Sequence, residues 1–364
     1  MGAKTGIEWT DSTWNPFMGC SRVSEGCRHC YAERIAGRFS AKAAGAGVYD
    51  GLTQLVKGGQ VWTGKLNSAR EQTWELPLRW KKPRRVFVNS MSDLFHENAP
   101  PKWVDRTFAT MALAPRHVFQ ILTKRPERML DYLTLAGTKA NIDAELIGIK
   151  LSRREFDHLP FEPPAWPLPN VWLGVSVENQ RAADERIPLL LRTPAAMRFI
   201  SAEPLLGPIS LDRWSGEALK CMWPGCGWWG PTGEACRDES NPDGSRTFCP
   251  CCGETCPPAA LLGEALHWVI CGGESGPRAR AMTPDWARSL KDQCVNAGVP
   301  FFFKQWGEWM PGSGPDPAKE IPVHAHNGDG SPMGLMHLAG KKAAGALLDG
   351  REWKQFPQEI PVIA

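Results

Sequence analysis

The feature that most constrains this chain is an alternation of short apolar runs with helical segments. The runs are rich in β-branched and aromatic residues, and this alternation is typical of βα units around a parallel sheet. They lie at 85–91, 117–124, 170–177, 197–205, 267–274 and 300–307. Helix signals lie at 31–45, 102–113, 126–135, 179–191 and 284–297. Six strands of this kind predict an α/β fold with a partial (β/α)6-type barrel.

Each apolar run ends in polar or small residues. The carboxyl ends of parallel strands carry the site in α/β folds, so we expect these endings to converge on one mouth. We predict catalytic roles for Glu178, Glu203 and Lys304. Cofactor contacts are predicted for Asn89, Ser90, Ser176, Gly272, Gly273 and Glu274. The alternatives are that polar residues only mark where strands stop, that Lys304 makes a structural ion pair, and that the three glutamates bind a metal.

Two segments interrupt the alternation. Residues 137–169 are interpreted as a connection that is rich in proline near its end, and residues 214–260 as a cysteine-rich inserted module. We therefore predict an amino-terminal part of the barrel at 1–213, the insertion at 214–260, and the rest of the barrel with a tail at 261–364.

Three cysteines lie close together before the first predicted helix. Cys20, Cys27 and Cys30 have the spacing C-x6-C-x2-C. Three thiolates in one loop can hold three irons of a [4Fe–4S] cluster and leave one iron open. An open iron can bind the amino and carboxylate groups of S-adenosylmethionine (SAM), whose one-electron cleavage yields a 5′-deoxyadenosyl radical. The alternatives are a zinc site completed by His29 or His96, and three structural thiols.

A second group of cysteines lies in the insertion. The segment Cys249-Pro-Cys-Cys252-Gly has the form of a zinc knuckle, and Cys221 with Cys226 supplies a second one. Four such thiolates predict a closed structural zinc site. Cys236, Cys251 and Cys256 are left over, and each is an alternative ligand or part of a second iron–sulfur cluster. The remaining alternative is that the insertion binds no metal.

Charge and hydropathy narrow the function classes. The net charge of +3 is too small to indicate a nucleic-acid-binding protein by itself. Two basic clusters, at 79–85 and at Lys124, Arg125 and Arg128, are candidates for phosphate contacts or for solvated faces. The chain begins without an apolar signal core and has no apolar run of membrane-spanning length. We therefore predict a cytoplasmic protein, in the host cell if a phage encodes it, with no membrane partner.

Eight segments across nearly the whole chain carry a family resemblance. They lie at 4–34, 86–97, 121–128, 170–179, 198–209, 268–282, 292–307 and 348–357. Together they resemble the phage Gp37/Gp68 family, also described as three-cysteine-motif proteins. That family is similar to radical SAM enzymes, including the spore photoproduct lyase type. The resemblance implies a partial (β/α)6-type radical SAM barrel with the cluster loop near its amino-terminal end, here with a zinc-ribbon-like insertion.

The resemblance also implies roles for individual residues. Cys20, Cys27 and Cys30 would be the ligands of the [4Fe–4S] cluster. His29 occupies the position where radical SAM enzymes usually place an aromatic ring against adenine, and Tyr31 is the alternative for that role. The run Gly272-Gly273-Glu274 resembles the glycine–glycine–glutamate element that meets the amino group of SAM, with Glu178 or Glu203 as alternatives.

The activity implied by the resemblance is hypermodification of a base in phage DNA, which protects that DNA from host restriction. In its most specific form, 5-Nα-glycinylthymidine in DNA is isomerised to 5-Cα-glycylthymidine, and Lys304 or a nearby arginine binds the glycine carboxylate. The expected partners are DNA carrying a modified thymine and a low-potential electron donor. The alternatives are a radical SAM enzyme of deazaguanine modification or thymine-lesion repair, and a non-enzymatic, zinc-stabilised nucleic-acid-binding protein.

Overall fold

A seven-stranded parallel sheet forms the centre of this mixed α/β protein. The computed structural model describes residues 5–42, 47–152, 156, 165–211, 214, 218–220, 229–231, 236–237, 247–248, 266–323 and 334–358. The strands are β1 (Ser12–Trp14), β2 (Arg85–Val88), β3 (Val118–Thr123), β4 (Val171–Ser176), β5 (Met197–Ala202), β6 (Trp268–Gly272) and β7 (Phe301–Gln305). All six predicted strands are confirmed. The additional strand, β1, is too short to show a periodic pattern.

Eight described helices accompany the sheet. They are α1 (Tyr31–Lys42), α2 (Glu71–Trp74), α3 (Pro101–Ala112), α4 (Pro126–Thr134), α5 (Thr138–Ser152), α6 (Gln180–Arg192), α7 (Pro284–Asn296) and α8 (Lys341–Ala344). The five predicted helices are confirmed. Three of them, α3, α4 and α7, begin at a proline, whose fixed φ suits the first helical position.

Helix α5 corrects the interpretation of 137–169 as a connection. Its buried residues Ile142, Leu146 and Ile149 lie at helical spacing. Two further apolar residues, Ile147 and Leu151, are exposed on the outer side and blur the amphipathic pattern. The first half of the segment is therefore a helix.

The strands lie in the sheet in the same order as in the chain, and every neighbouring pair is parallel. Each connection therefore adds the next strand on the same side. Because such crossovers are right-handed, they bring their helices to one face, and the sheet curls into a half-barrel. The other, concave face is left without helices and can carry a site.

Two of the three hydrophobic clusters reflect these two faces. The larger core packs alternate strand residues, such as Val88, Ile121 and Phe303, against the helices. The smaller core lies on the concave face. We call its six aromatic residues the aromatic floor: Trp9, Phe87, Trp172, Phe199, Trp268 and Phe302.

The aromatic floor is closely packed. Trp268 lies at its centre, with ring centroids 6.3 Å from Trp9 and 6.0 Å from Phe302. A Cβ atom on Gly174 would lie 2.5 Å from the ring of Phe199, so only glycine leaves room for that ring. The carboxyl-terminal Phe356 covers Trp268 at 5.4 Å. One end of the half-barrel is therefore filled by side chains.

Smaller elements surround the sheet. A hairpin (Thr53–Val56 with Gly59–Trp62) packs against α1. A three-stranded sheet and three two-stranded pairs lie elsewhere: Trp309–Pro311, Gly334–Leu338 and Glu320–Val323; Phe17–Met18 with Asn67–Ser68; Leu347–Leu348 with Arg351–Glu352; Ala218–Lys220 with Trp229–Pro231. Cys236–Arg237 pairs with Thr247–Phe248. None of the described helices is long and apolar enough to cross a membrane.

The predicted zinc ligands Cys221, Cys226, Cys249 and Cys252 lie outside the described residues, as do Cys251 and Cys256. The zinc site and the division of the chain at 214–260 stay predictions.

Candidate functional site

A cavity of about 240 Å³ opens at the carboxyl ends of the strands. The strand endings that were expected to converge do so here. Twelve of the predicted site residues line the cavity: Cys20, Cys27, His29, Cys30, Tyr31, Asn89, Ser90, Ser176, Glu203, Gly273, Glu274 and Lys304. Glu178 and Gly272 lie close by but outside this lining.

The cysteine loop lies at the mouth because it connects β1 to α1. Its start is held at Gly19, whose N–H donates to the carbonyl of Met91 at 3.0 Å. A Cβ atom on Gly19 would lie 2.1 Å from the carbonyl oxygen of Lys65, and its φ is +110°, so a side chain at this position would be strained. All three cysteines face the same cavity as a result of this close docking.

The three thiols have different surroundings. Burial, together with the charge of Asp93, raises the pKa of Cys20 to about 12, although Arg125 opposes the shift. Burial also raises the pKa of Cys30. The hydroxyl of Ser24 lies 4.0 Å from Sγ of Cys27. The thiols are close enough for their charges to affect one another's ionisation.

The geometry bears on which metal group these thiols fit. Within the described residues, no three Cys, His, Asp or Glu side chains converge on one ion position. Zinc needs such convergence, whereas in a [4Fe–4S] cluster each thiolate binds a different iron. His96 is also committed, because Nε2 lies 3.0 Å from Ser21 Oγ and Nδ1 accepts from the Asn98 N–H. The other two described free cysteines, Cys271 and Cys294, are buried in the helix-side core. Three thiols at one cavity fit a cluster with an open iron.

Arg125 fixes one side of the cysteine loop. Its guanidinium donates to Asp93 at 3.1 Å, to Glu97 at 2.5 Å and to the hydroxyl of Ser21 at 2.7 Å. It also lies 3.8 Å from Sγ of Cys20. These contacts outweigh burial and lower the pKa of Glu97 to about 2. Arg125 is therefore a buried anchor, which is neither of the two roles, phosphate contact or solvated face, considered for its cluster.

The other arginines of the two basic clusters are also engaged. Arg128 donates to the carbonyl of Ala99 at 2.8 Å. Arg84 lies over the ring of Trp80, and Arg85 pairs with Asp11 at 3.1 Å. The sequence pattern identified these cations, but Asp11 and the carbonyl of Ala99 come from other parts of the chain.

Glu274 and Arg280 fix the opposite side of the loop. The carboxylate of Glu274 accepts hydrogen bonds from the backbone N–H of Arg280 at 2.8 Å, from its guanidinium at 2.6 Å and from His29 Nδ1 at 2.9 Å. Burial raises the pKa of Glu274, but these donors outweigh it and the net shift is downward. Arg280 also donates to the carbonyl of Glu25 at 3.0 Å. Glu274 and His29 thus hold the loop in place.

The two glycines before Glu274 allow close approach of other groups. A Cβ atom on Gly273 would lie 1.9 Å from the carbonyl oxygen of Trp306. On Gly272 it would lie 2.8 Å from the carboxylate of Glu203. The run therefore positions neighbouring elements at the mouth.

Glu203 and Glu178 differ in whether a ligand in the cavity can reach them. Glu203 pairs with Lys304 at 3.0 Å inside the cavity, and both side chains keep some exposure. Glu178 is 2% exposed and pairs with Arg186 at 2.9 Å beneath the loop at Gly26. Of these two carboxylates, Glu203 is the one that can meet a ligand.

The remaining wall is formed by the ends of β2 and α1. The hydroxyl of Tyr31 donates to the carbonyl of Ser90 at 2.9 Å. Asn89 has a φ of 60°, which turns the chain at the end of β2. Among the described residues, its Oδ1 has no hydrogen-bond partner. The same holds for Gln305 Oε1 and Trp9 Nε1, which also belong to cavity-lining residues.

Lys124 was considered in the sequence only as part of a basic cluster, and it is a residue of the site. It follows β3 and lines the cavity, and its backbone N–H is held by Asp93 at 3.1 Å. Within the described residues its amine makes no hydrogen bond and no ion pair. The signal was present as a lysine at a strand end, but only the fold separates it from the engaged Arg125.

Comparison with known proteins identifies the family to which the chain belongs. No curated protein and no solved structure matches the chain. The model of the family described as "Protein of unknown function (DUF5131)" matches residues 4–357. With almost its entire length matched, this chain belongs to the DUF5131 family.

Proposed function

We propose that this protein is a radical SAM enzyme that isomerises 5-Nα-glycinylthymidine to 5-Cα-glycylthymidine in DNA. One observation carries the proposal: Cys20, Cys27 and Cys30 line a single cavity at the carboxyl ends of a curled parallel sheet. The cluster loop follows the first strand, which suits the proposed partial (β/α)6-type radical SAM barrel. The insertion at 214–260 is proposed to be its zinc-ribbon-like module.

The cysteines would hold a [4Fe–4S] cluster, which supplies one electron to SAM and so yields a 5′-deoxyadenosyl radical that abstracts hydrogen. The electron comes from a low-potential donor. Glu203 is the cavity carboxylate that suits the amino group of SAM. Tyr31 and His29 remain the candidates for contact with adenine, and His29 is oriented by Glu274.

The proposed reaction is redox-neutral. One hydrogen atom leaves the glycine α-carbon, and the bond from the 5-methylene carbon to nitrogen is replaced by a bond to that α-carbon. A hydrogen atom returns to nitrogen, so that substrate and product are isomers.

The cavity offers Lys124 for the carboxylate of the glycine substituent. Lys304, the first candidate for this role, is paired directly with Glu203. Within the described residues Lys124 makes no direct hydrogen bond or ion pair, although its charge helps to lower the pKa of Glu178. A charge-assisted hydrogen bond from Lys124 would hold the α-carbon in one place.

The first test concerns the cluster. The parent, Cys27→Ala and the control Cys294→Ala are reconstituted without oxygen, incubated with SAM and dithionite, and assayed for iron and for 5′-deoxyadenosine. We expect about four irons per chain in the parent and the control, and 5′-deoxyadenosine from both. Cys27→Ala should lose the product. If none of them forms the product and zinc is the only metal found, the radical SAM proposal is contradicted. The alternative of a metal-stabilised nucleic-acid-binding protein is then favoured.

The second test concerns the substrate. A synthetic oligonucleotide that contains one Nα-glycinylthymine is incubated with the loaded enzyme and digested to nucleosides. Because the product is an isomer, it is separated by chromatography and identified from its mass fragments. SAM cleavage without conversion of this base would point to a different modified base, such as a deazaguanine or a thymine lesion.

A further inference from the structure

Four cations lie on elements next to the cavity, outside the residues that line it. We call Arg34, Arg38, Lys57 and Arg278 the cationic rim. All four are exposed. They come from α1, from the tip of the hairpin at 53–62 and from the loop after β6.

Contacts between these elements bring the rim together. The guanidinium of Arg34 lies over Gly276, where a Cβ atom would approach it to 2.4 Å. Arg278 donates to the carbonyl of Gly58, next to Lys57. Arg38 lies one helical turn beyond Arg34, on the same side of α1. The rim therefore follows α1 and crosses to the hairpin.

The rim cations differ from the cations beneath them. Arg125, Arg186 and Arg280 each pair with a buried or half-buried carboxylate. Within the described residues, no rim cation pairs with an acidic side chain. Four unneutralised charges on one edge of a protein with a net charge of only +3 form a local positive surface.

Exposed apolar side chains lie among these charges. Leu55 and Val56 precede Lys57 at the hairpin tip and are 78% and 41% exposed. Tyr31 is 40% exposed between the rim and the cavity. Cations interleaved with exposed apolar and aromatic groups are typical of surfaces that hold a phosphate backbone and contact unstacked bases.

We propose that the cationic rim binds the phosphate backbone of a DNA strand and presents one extruded base to the cavity, so that the substrate is a polynucleotide and not a free nucleotide. This deepens the proposed function and rests on it for the identity of the base. An enzyme that acts on a base must take that base out of the stack, and apolar side chains at the hairpin tip can fill the space it leaves. A free nucleotide would need only the charges inside the cavity.

The test is a binding measurement that needs neither SAM nor a reduced cluster. A fluorescein-labelled, thymine-containing single strand and its duplex are titrated with protein over a range of salt concentrations, and affinity is measured by anisotropy. The variant Arg34→Gln/Arg38→Gln is compared with Lys81→Gln/Lys82→Gln. The control makes the same charge change at exposed positions before β2, at the opposite end of the sheet.

Each phosphate contact contributes about 0.7 (single strand) to 0.9 (duplex) to the slope of log affinity against log salt, so the rim variant should lose about 1.4 to 1.8 of that slope. At about 0.1 M salt this is a loss of affinity of roughly 20- to 60-fold. The control should bind like the parent. Unchanged unfolding midpoints for both variants exclude a folding defect.

Two outcomes would overturn the rim as the DNA-binding surface: equal losses in the rim and control variants, or a parent that binds neither strand in a salt-dependent way. The result is separate from the fate of the proposed reaction. A parent that makes no 5′-deoxyadenosine refutes the radical chemistry and leaves the binding measurement intact. A rim variant that loses DNA affinity but still cleaves SAM in the absence of DNA supports the rim.

Discussion

The two ends of the concave face are built from the same strands but differ in chemistry. At one end the aromatic floor is 0–8% exposed. Two residues further along two of these strands, the inward position changes from Phe199 to Ser201 and from Phe302 to Lys304. Because side chains of a strand alternate between faces, this step of two moves from the floor to the mouth. Along each strand, residues that stabilise the fold and residues that face the cavity therefore occupy different positions. Substitutions in the floor should mainly affect stability, and substitutions at the mouth should mainly affect activity.

The largest expected effect is at the floor. Phe199→Ala removes a fully buried ring and should lower the free energy of unfolding by about 3–5 kcal/mol. Ser201→Ala, two residues further along β5, loses one hydrogen bond to Glu203 at 3.4 Å and should cost about 1 kcal/mol or less. Urea unfolding measures both. Equal losses of unfolding free energy would mean that the floor and the mouth stabilise the fold equally.

The next largest effect on stability depends on pH and is expected at the end of the sheet that carries the aromatic floor. Burial, supported by the charges of Arg116 and Arg84, lowers the pKa of His117 from 6.5 to about 4, although its hydrogen bond to the Pro77 carbonyl opposes the shift. Between these values the unfolded chain binds the proton and the folded chain does not, so stability is complete above pH 6.5 and falls towards pH 4. We expect a loss of about 2–3 kcal/mol, measured by unfolding at several pH values.

His117→Gln tests that assignment, since glutamine keeps a donor for the Pro77 carbonyl but does not titrate. The variant should lose this part of the pH dependence, whereas His337→Gln, in the three-stranded sheet, should keep it. If His117→Gln keeps the full change of unfolding free energy with pH, the titrating group is not His117.

A smaller effect is expected from Gly174→Ala. Its new methyl group would approach the ring of Phe199 to 2.5 Å, and overpacking of this kind costs about 1–3 kcal/mol. The matched control is Gly148→Ala in α5, where no atom lies within 4 Å and alanine should stabilise the helix by about 0.5–1 kcal/mol. Opposite signs in thermal unfolding would confirm the tight packing of the floor, and a stabilised Gly174→Ala would contradict it.

The smallest effect on stability is expected at the mouth. Glu203→Gln breaks a partly exposed pair with Lys304 and should change the free energy of unfolding by about 1 kcal/mol or less. The same change should lower 5′-deoxyadenosine formation by about tenfold or more if Glu203 binds the amino group of SAM. Glu185→Gln, an equal charge change at an exposed position of α6, should alter neither. A stability loss as large as that of Phe199→Ala would make Glu203 a structural residue.

Much of the fold was predictable because its signals are local. Six strands, five helices and the proline starts of α4 and α7 follow from runs of neighbouring residues. The misses have equally local causes. Strand β1 has three residues, too few for a period, and α5 carries apolar residues on its exposed side. The site was predicted as a set of strand endings, but not the roles within it: Lys304 and Glu274 are engaged, and Lys124 is available.

By itself the sequence determined most of the elements, that their strands are parallel and that three thiols share one loop, because spacing and composition act over a few residues. The tertiary structure decided which charges are neutralised. His29 meets Glu274 across 245 positions and Arg125 meets Ser21 across 104, and no local pattern contains such pairs. In a low-dielectric interior a charge is stabilised by its partner. Folding therefore decided which cations hold the loop and which remain for a ligand.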